Sequence, residues 1–371
     1  MQYFFQKLLQ FLIPLVVFIS IIVTIQKTTY QISGGDLNRL GKISFSKEYS
    51  KFYNSSEMLH YADLSDINIK DNPDIDILIF GDSFCRMGKN GLPNFLAKGN
   101  NKTIINANLD YGKLGIRNPC EGIYRFLNGG FFDSTRVRFV LLQNVVRSWN
   151  KMQSTNEHLI LDYDNIVQKK PFLPVSSYES YLKINQVKKQ LNFFQKYKKE
   201  FDNSIKYVLF NLLYYFDDNA FGLSPIHVFK LKQDMFSEKS STLLVLGEDI
   251  NNMKNFNLEF SNRLNEILNR LAKNLSKKNI KLIFVPSPNK FDIYYPYINQ
   301  NHSYTENNYF KLFKNKKKKY IYIDTNEVLS NAVKSGEKDL YLADDSHWTY
   351  KAANLISNNI LSEINLINEN N

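Results

Sequence analysis

A serine hydroxyl becomes a useful nucleophile only when a neighbouring base removes its proton, and a histidine does this best when a carboxylate orients its ring. The chain supplies all three residue types in two short runs. Gly81-Asp82-Ser83-Phe84 follows the apolar run Ile75–Phe80, and Asp344-Asp345-Ser346-His347-Trp348 precedes the helical pattern Tyr350–Ile360. Ser83 is the expected nucleophile. His347 is the expected base, taking the Ser83 proton and returning it to the departing or entering oxygen. Of the five histidines, His347 alone sits in an acidic cluster followed by a helical pattern. The first run is not the Gly-x-Ser-x-Gly elbow of another hydrolase class, since Cys85 stands where its last glycine would be. Phe84-Cys85-Arg86-Met87 is expected to open a helix whose N-terminal amides favour negative charge.

Such groups need a rigid frame. Strand-like runs occur at Ile75–Phe80, Thr103–Asn108, Arg138–Val146, Ile280–Pro286 and Tyr320–Asp324. Helical patterns lie between several of them, the clearest at Phe256–Lys278 with Leu264, Ile267, Leu268, Leu271 and Leu275 on one face. This alternation predicts a three-layer α/β/α sandwich around a mainly parallel sheet. Ligands of such sheets sit beyond the carboxyl ends of the strands, where Ser83 falls. From about 149 to 252 the alternation breaks into an aromatic, lysine-rich stretch, read as an insertion over the site with helical pieces. Its aromatics, among them Tyr178, Tyr181, Phe193 and Phe194, are expected to pack a core more than to stack on sugars.

Leu8–Ile25 is nearly continuous apolar sequence, close to the roughly 20 residues that cross a bilayer. No Ala-x-Ala cleavage signal follows at Gln26–Tyr30. Residues 1–30 are therefore read as an uncleaved anchor, 31–72 as a polar stalk and 73–371 as the catalytic domain. Lys7 precedes the segment and Lys27, Arg39 and Lys42 follow it, so charge does not set its orientation. The inferred chemistry places the bulk of the chain outside the cytoplasm.

The net charge of +11 is dispersed apart from Lys314 and Lys316–Lys319, a run read as a solvated loop, and no nucleic-acid module is present. No cluster has metal-ligand spacing and no glycine loop would cradle phosphate, so no cofactor is expected. Cys85 and Cys120 make no disulfide framework. Cys85 reads as a small packing residue.

The two runs resemble the first and last sequence blocks of the SGNH (GDSL-type) hydrolase superfamily. The His-Trp ending and the N-terminal apolar segment resemble, more narrowly, its membrane-anchored alginate-O-acetyltransferase-like branch. The resemblance implies a flavodoxin-like sandwich and a serine enzyme that O-acetylates a cell-surface or exported polysaccharide. Its acyl donor would be delivered by a multipass membrane acyltransferase. The superfamily's Asp-x-x-His spacing picks Asp344 as the orienting carboxylate, and the branch's Asp-x-His spacing picks Asp345; Asp344 is favoured. For the oxyanion, the resemblance implies the Ser83 amide, a glycine after the second strand (Gly112 or Gly115) and an asparagine after the next, for which Asn144 fits loosely because the customary Gly-x-Asn-Asp block is absent. Arg147 and Lys290 are charges placed either to touch substrate or to face solvent. Two other outcomes stay open: an esterase using the same triad with water, and a non-catalytic, membrane-tethered glycan-binding protein.

Overall fold

The computed structural model describes residues 2–29, 35–37, 58–67, 72–99, 102–107, 119–149, 212–213, 216, 226–238, 241–253, 256–299 and 304–369. In chain order the elements are α1 (Gln2–Thr29), β1 (Ala62–Asp63), β2 (Asp74–Phe80), α2 (Leu92–Lys98), β3 (Ile104–Asn106), α3 (Pro119–Asn128) and β4 (Arg136–Val145). They continue with β5 (Ile226–Lys230), β6 (Thr242–Leu246), α4 (Gly247–Asn251), α5 (Leu258–Ser276), β7 (Lys281–Ser287) and α6 (Lys290–Tyr294). The last are α7 (Tyr309–Lys314), β8 (Ile321–Tyr322), α8 (Thr325–Lys334) and α9 (Tyr350–Glu369).

Six strands form one sheet in the order β1-β3-β2-β4-β7-β8, and every pairing is parallel. A parallel sheet is covered on both faces, so its strands read as apolar runs rather than alternations. β2, β4 and β7 do so. Ile77, Ile79, Phe139, Leu141, Ile283 and Val285 face a core completed by α2, α8, α9 and the β5–β6 hairpin. Leu78, Phe80, Val140, Leu142, Leu282 and Phe284 face a second core completed by α3, α5 and α7. The three-layer α/β expectation is met.

Two differences have physical causes. Ile226–Lys230 and Thr242–Leu246 pair antiparallel, with Val228 opposite Leu244, inside the stretch expected to hold helical pieces. Buried Phe229, Leu243 and Val245 add this hairpin to the first core, and that burial outweighs local preference. Ala62–Asp63, within the stretch read as a stalk, pairs with β3 as an edge strand.

α2 follows β2 on one face and α3 precedes β4 on the other. The carboxyl ends of β2 and β4, adjacent in the sheet, therefore open onto the crevice where connections diverge. α1 contains a 23-residue span of mean hydropathy 2.3, Gln2–Thr24, long and apolar enough to cross a membrane or to serve as a signal sequence.

Candidate active site

β2 ends at Phe80, and the chain turns at once. Gly81 has no room for a side chain, because a Cβ there would lie 2.5 Å from Cys85 Sγ and 2.8 Å from Gln143 Oε1. The Asp82 carboxylate accepts from Phe84 N at 2.9 Å and from Val145 N at 2.7 Å, tying the turn to the end of β4. Ser83–Cys85 then forms a single 3₁₀ turn rather than the expected helix. Gly88, at φ +57°, and a second short turn intervene before α2. A helix macrodipole therefore gives way to one local amide, Ser83 N–H, which makes no hydrogen bond among the described residues.

Gln143 explains how the three central strands stay in register at this end. Its Oε1 accepts from Asp82 N at 3.0 Å and lies 3.3 Å from Cys85 Sγ, while its Nε2 donates to Ser287 Oγ at 2.8 Å. One fully buried amide thereby links β2, β4 and β7. Both cysteines are buried and free of disulfides, and burial pushes the Cys120 thiol up to about 12.

The histidine comes from a tight loop ahead of α9. Leu342 N donates to His347 O, Thr349 N donates to Leu340 O, and Tyr341 and Trp348 form an antiparallel bridge. Trp348 is fully buried and packs edge-on against Phe84 at 4.9 Å, while the His347 ring lies 4.6 Å from the same phenyl. Phe84, next to Ser83, thus fixes both members of the His-Trp pair by packing.

The resulting geometry is that of a proton relay. His347 Nε2 lies 2.7 Å from Ser83 Oγ, and His347 Nδ1 lies 2.5 Å from Asp345 Oδ1. The carboxylate on the ring is that of Asp345, which corrects the preference for Asp344. The cause is local: Asp345 Oδ1 also accepts from His347 N at 2.9 Å, a two-residue side-chain turn that brings carboxylate and imidazole together. Asp344 is fully buried, and its carbonyl accepts from Leu37 N. Burial by itself would push His347 down, but the hydrogen bond and charge of Asp345, aided by Asp36, leave it raised. Burial would raise Asp345, and the His347 partnership reverses this to about 2. Asp345 thus stays ionised at any working pH and favours the protonated form of the His347 ring.

Asp345→Asn is expected to slow nucleophilic reaction of Ser83 by ~10³-fold or more, because the amide presents the wrong partner to Nδ1. Asp344→Asn is expected to leave the rate within a few-fold of wild type. Rates of active-site phosphonylation for the two variants check this, and equal losses would sink the assignment.

Arg147, just beyond β4, does not face solvent. Its guanidinium donates to Asp249 at 3.2 Å and to Ser346 Oγ at 3.2 Å, and its carbon sits 5.9 Å from the Phe84 ring centre. Its backbone N–H donates to Asn289 Oδ1. Burial pushes Asp249 up to about 6 against the pull of Arg147. Lys290 is fully buried and donates to the carbonyls of Leu342, Ala343 and Asp345 at 2.6, 2.9 and 3.3 Å. It therefore holds the histidine loop. Asn144 is buried in the β4–β7 ladder opposite Pro286, and its Nδ2 makes no hydrogen bond among the described residues. Strand alternation turns its side chain to the face opposite Gln143. Gly112 and Gly115 lie outside the described residues, as do the aromatics Tyr178, Tyr181, Phe193 and Phe194.

Asp36, Asp249, Ser346 and Gln143 went unnoticed in the sequence. Only Gln143 carried a signal, a polar residue inside the apolar run of β4. Atoms of Asp36, Asp345 and His347 that could ligate a metal lie within 4.8 Å of one another. Both ring nitrogens of His347 are already engaged, by Asp345 and Ser83.

Residues 248–369 match the family model described as "SGNH hydrolase-like domain, acetyltransferase AlgX". That stretch contains the histidine loop, Lys290 and Asp249, whereas Ser83 and β2 precede it. None of the curated proteins and none of the solved structures matches the chain.

Proposed function

We propose, because residues 248–369 match the model of an SGNH hydrolase-like domain of acetyltransferase AlgX, that the chain is a membrane-anchored O-acyltransferase that acetylates a cell-surface or exported polysaccharide. The observation that carries this reading is the Ser83–His347–Asp345 relay, with contacts of 2.7 and 2.5 Å, at the crevice end of the parallel sheet. In the first half-reaction Ser83 Oγ attacks the acyl carbonyl carbon while His347 Nε2 accepts its proton. The tetrahedral oxyanion meets the Ser83 amide, and Gly112 or Gly115 supplies the further donor we assign to it. Collapse breaks the bond to the donor's oxygen, which leaves with the proton from His347. A sugar hydroxyl then attacks the acyl-serine, gives its proton to His347, and Ser83 recovers it as the ester departs.

α1 serves as the anchor in this proposal, with the catalytic domain outside the cytoplasm and the acyl group supplied by a multipass membrane partner. Arg147, buried beside Ser346 and over Phe84, orders the wall of the crevice in which the acceptor binds. The proposal is tested on the full chain in detergent with a fluorophosphonate, followed by peptide mass analysis. An adduct on Ser83 that disappears in Ser83→Ala is expected. Adding p-nitrophenyl acetate with and without an oligosaccharide acceptor then separates the outcomes: acetylated sugar supports transfer, whereas acetate alone makes the protein an esterase. A folded protein with no adduct makes it a binding protein.

A further inference from the structure

We propose that Gly35-Asp36-Leu37, the described residues soon after α1, form a latch that completes the active site, with Asp36 as a positioning residue for the Asp345–His347 pair. The inference deepens the proposed function and rests on its assignment of Ser83 and His347.

All three residues of the latch meet the histidine loop from more than 300 positions away. Asp36 N donates to Asp345 Oδ2 at 3.3 Å. Asp345 Oδ1 is already committed to the His347 backbone and ring, so the Asp36 amide sets the remaining rotation of the carboxylate. The Asp36 carboxylate takes both donors of Ser346, the residue between Asp345 and His347: N at 2.7 Å and Oγ at 2.6 Å. Ser346 Oγ in turn accepts from Arg147, which joins the latch to the β4 end. Leu37 N donates to Asp344 O at 2.9 Å, and the Leu37 side chain is fully buried in the core on that side of the sheet. A Cβ on Gly35 would collide with the Asp344 carbonyl, so only glycine allows this approach.

The arrangement also places a second carboxylate beside the imidazole. The charged groups that act on it are Asp345, Asp36 and Arg147, and these interact in turn with Asp344, Asp249, Asp82 and Lys290. Burial and the Asp345 charge raise Asp36, and Asp36 helps to raise His347. Asp36 thus does two things: it fixes the loop, and it favours the imidazolium formed as Ser83 gives up its proton.

The test compares wild type, Asp36→Asn and Asp36→Ala as full chains in detergent, following fluorophosphonate labelling of Ser83 from pH 5 to 9. Both variants are expected to lose about 10-fold at the plateau, and the pH at which labelling reaches half its plateau is expected to fall. A rate loss with an unmoved half-point would mean that Asp36 only packs, and would overturn the proposal. Unchanged rates would overturn it too. Ring-labelled histidine NMR, with His347 assigned from His347→Gln, follows the same shift without turnover. If Asp36→Ala does not fold, the near-isosteric Asp36→Asn carries the test. Wild type that is never labelled while its His347 titration still drops in Asp36→Asn would remove the enzyme reading and leave the latch standing. A titration that stays put in both variants would remove the latch alone.

Discussion

Replacing His347 by alanine is expected to slow the reaction of Ser83 with a fluorophosphonate or an activated acetyl ester by ~10³–10⁴-fold, the range over which a positioned base contributes. Ser83 Oγ has its hydrogen-bond partner in Nε2 at 2.7 Å, and with the ring removed nothing else in the relay takes its proton. The wild-type rate carries a pH signature of the same group. Only the neutral ring accepts a proton, and His347 is held above its usual value, so the rate rises with pH through a half-point above that of a free imidazole. Stopped-time labelling across pH gives both the magnitude and the half-point. A His347→Ala rate within tenfold of wild type would show that another base serves Ser83. Circular dichroism confirms that the variant is folded, which the partial exposure of the ring permits.

The second large effect is expected at Lys290. In Lys290→Met, three carbonyls of the histidine loop lose the ammonium they share, while the apolar stem keeps its volume. An orphaned buried acceptor costs ~1–3 kcal/mol, and three acceptors on one donor are not additive, so a loss of ~3–5 kcal/mol is expected in chemical denaturation. Labelling of Ser83 should fall with it, because Leu342, Ala343 and Asp345 lead directly into His347. The pH dependence identifies the group. Burial lowers Lys290 from 10.5 to about 8, against the pull of Asp344 and Asp345. Between those values the unfolded chain holds a proton that the folded protein has released, so the Lys290 contribution to stability rises with pH across that window. Below about 8 both states are protonated and the contribution is flat. The stability gap between wild type and Lys290→Met should therefore widen from pH 8 to 10. A gap that is constant there would show that burial does not depress Lys290, and a variant as stable as wild type would show that Lys290 does not hold the loop.

The sheet was legible because its central strands are buried on both faces, which leaves apolar runs such as Ile75–Phe80 and Leu282–Val285 that few other structures produce. β1 was not, since two half-buried residues carry no pattern. The β5–β6 hairpin was not, because an 11-residue connection, 231–241, replaces the short Asn-Gly or Asp-Gly turn that announces a hairpin. Ser83 and His347 stood out by residue type and by position at element ends. The choice between Asp344 and Asp345 lay in a backbone turn that spacing does not encode. Lys290 read as a charge touching substrate or facing solvent because the carbonyls that surround it arrive from 52 to 55 residues later. Asp36 was invisible for the same reason on a larger scale, its partners being 309 and 310 residues away. Side-chain roles set by long-range backbone acceptors leave almost no trace in local sequence.

The latch also sets a leash. Asp36 follows Thr29, the last residue of α1, by seven positions, and a chain of that length reaches at most ~25 Å when fully drawn out. A domain of ~300 residues is broader than this, with a radius of gyration of ~19 Å. If α1 crosses a bilayer, the crevice mouth is held within that radius of the lipid headgroups and cannot swing to the far side of its own domain. Whatever enters the crevice would then be met close to the surface, within a shell thinner than the domain itself.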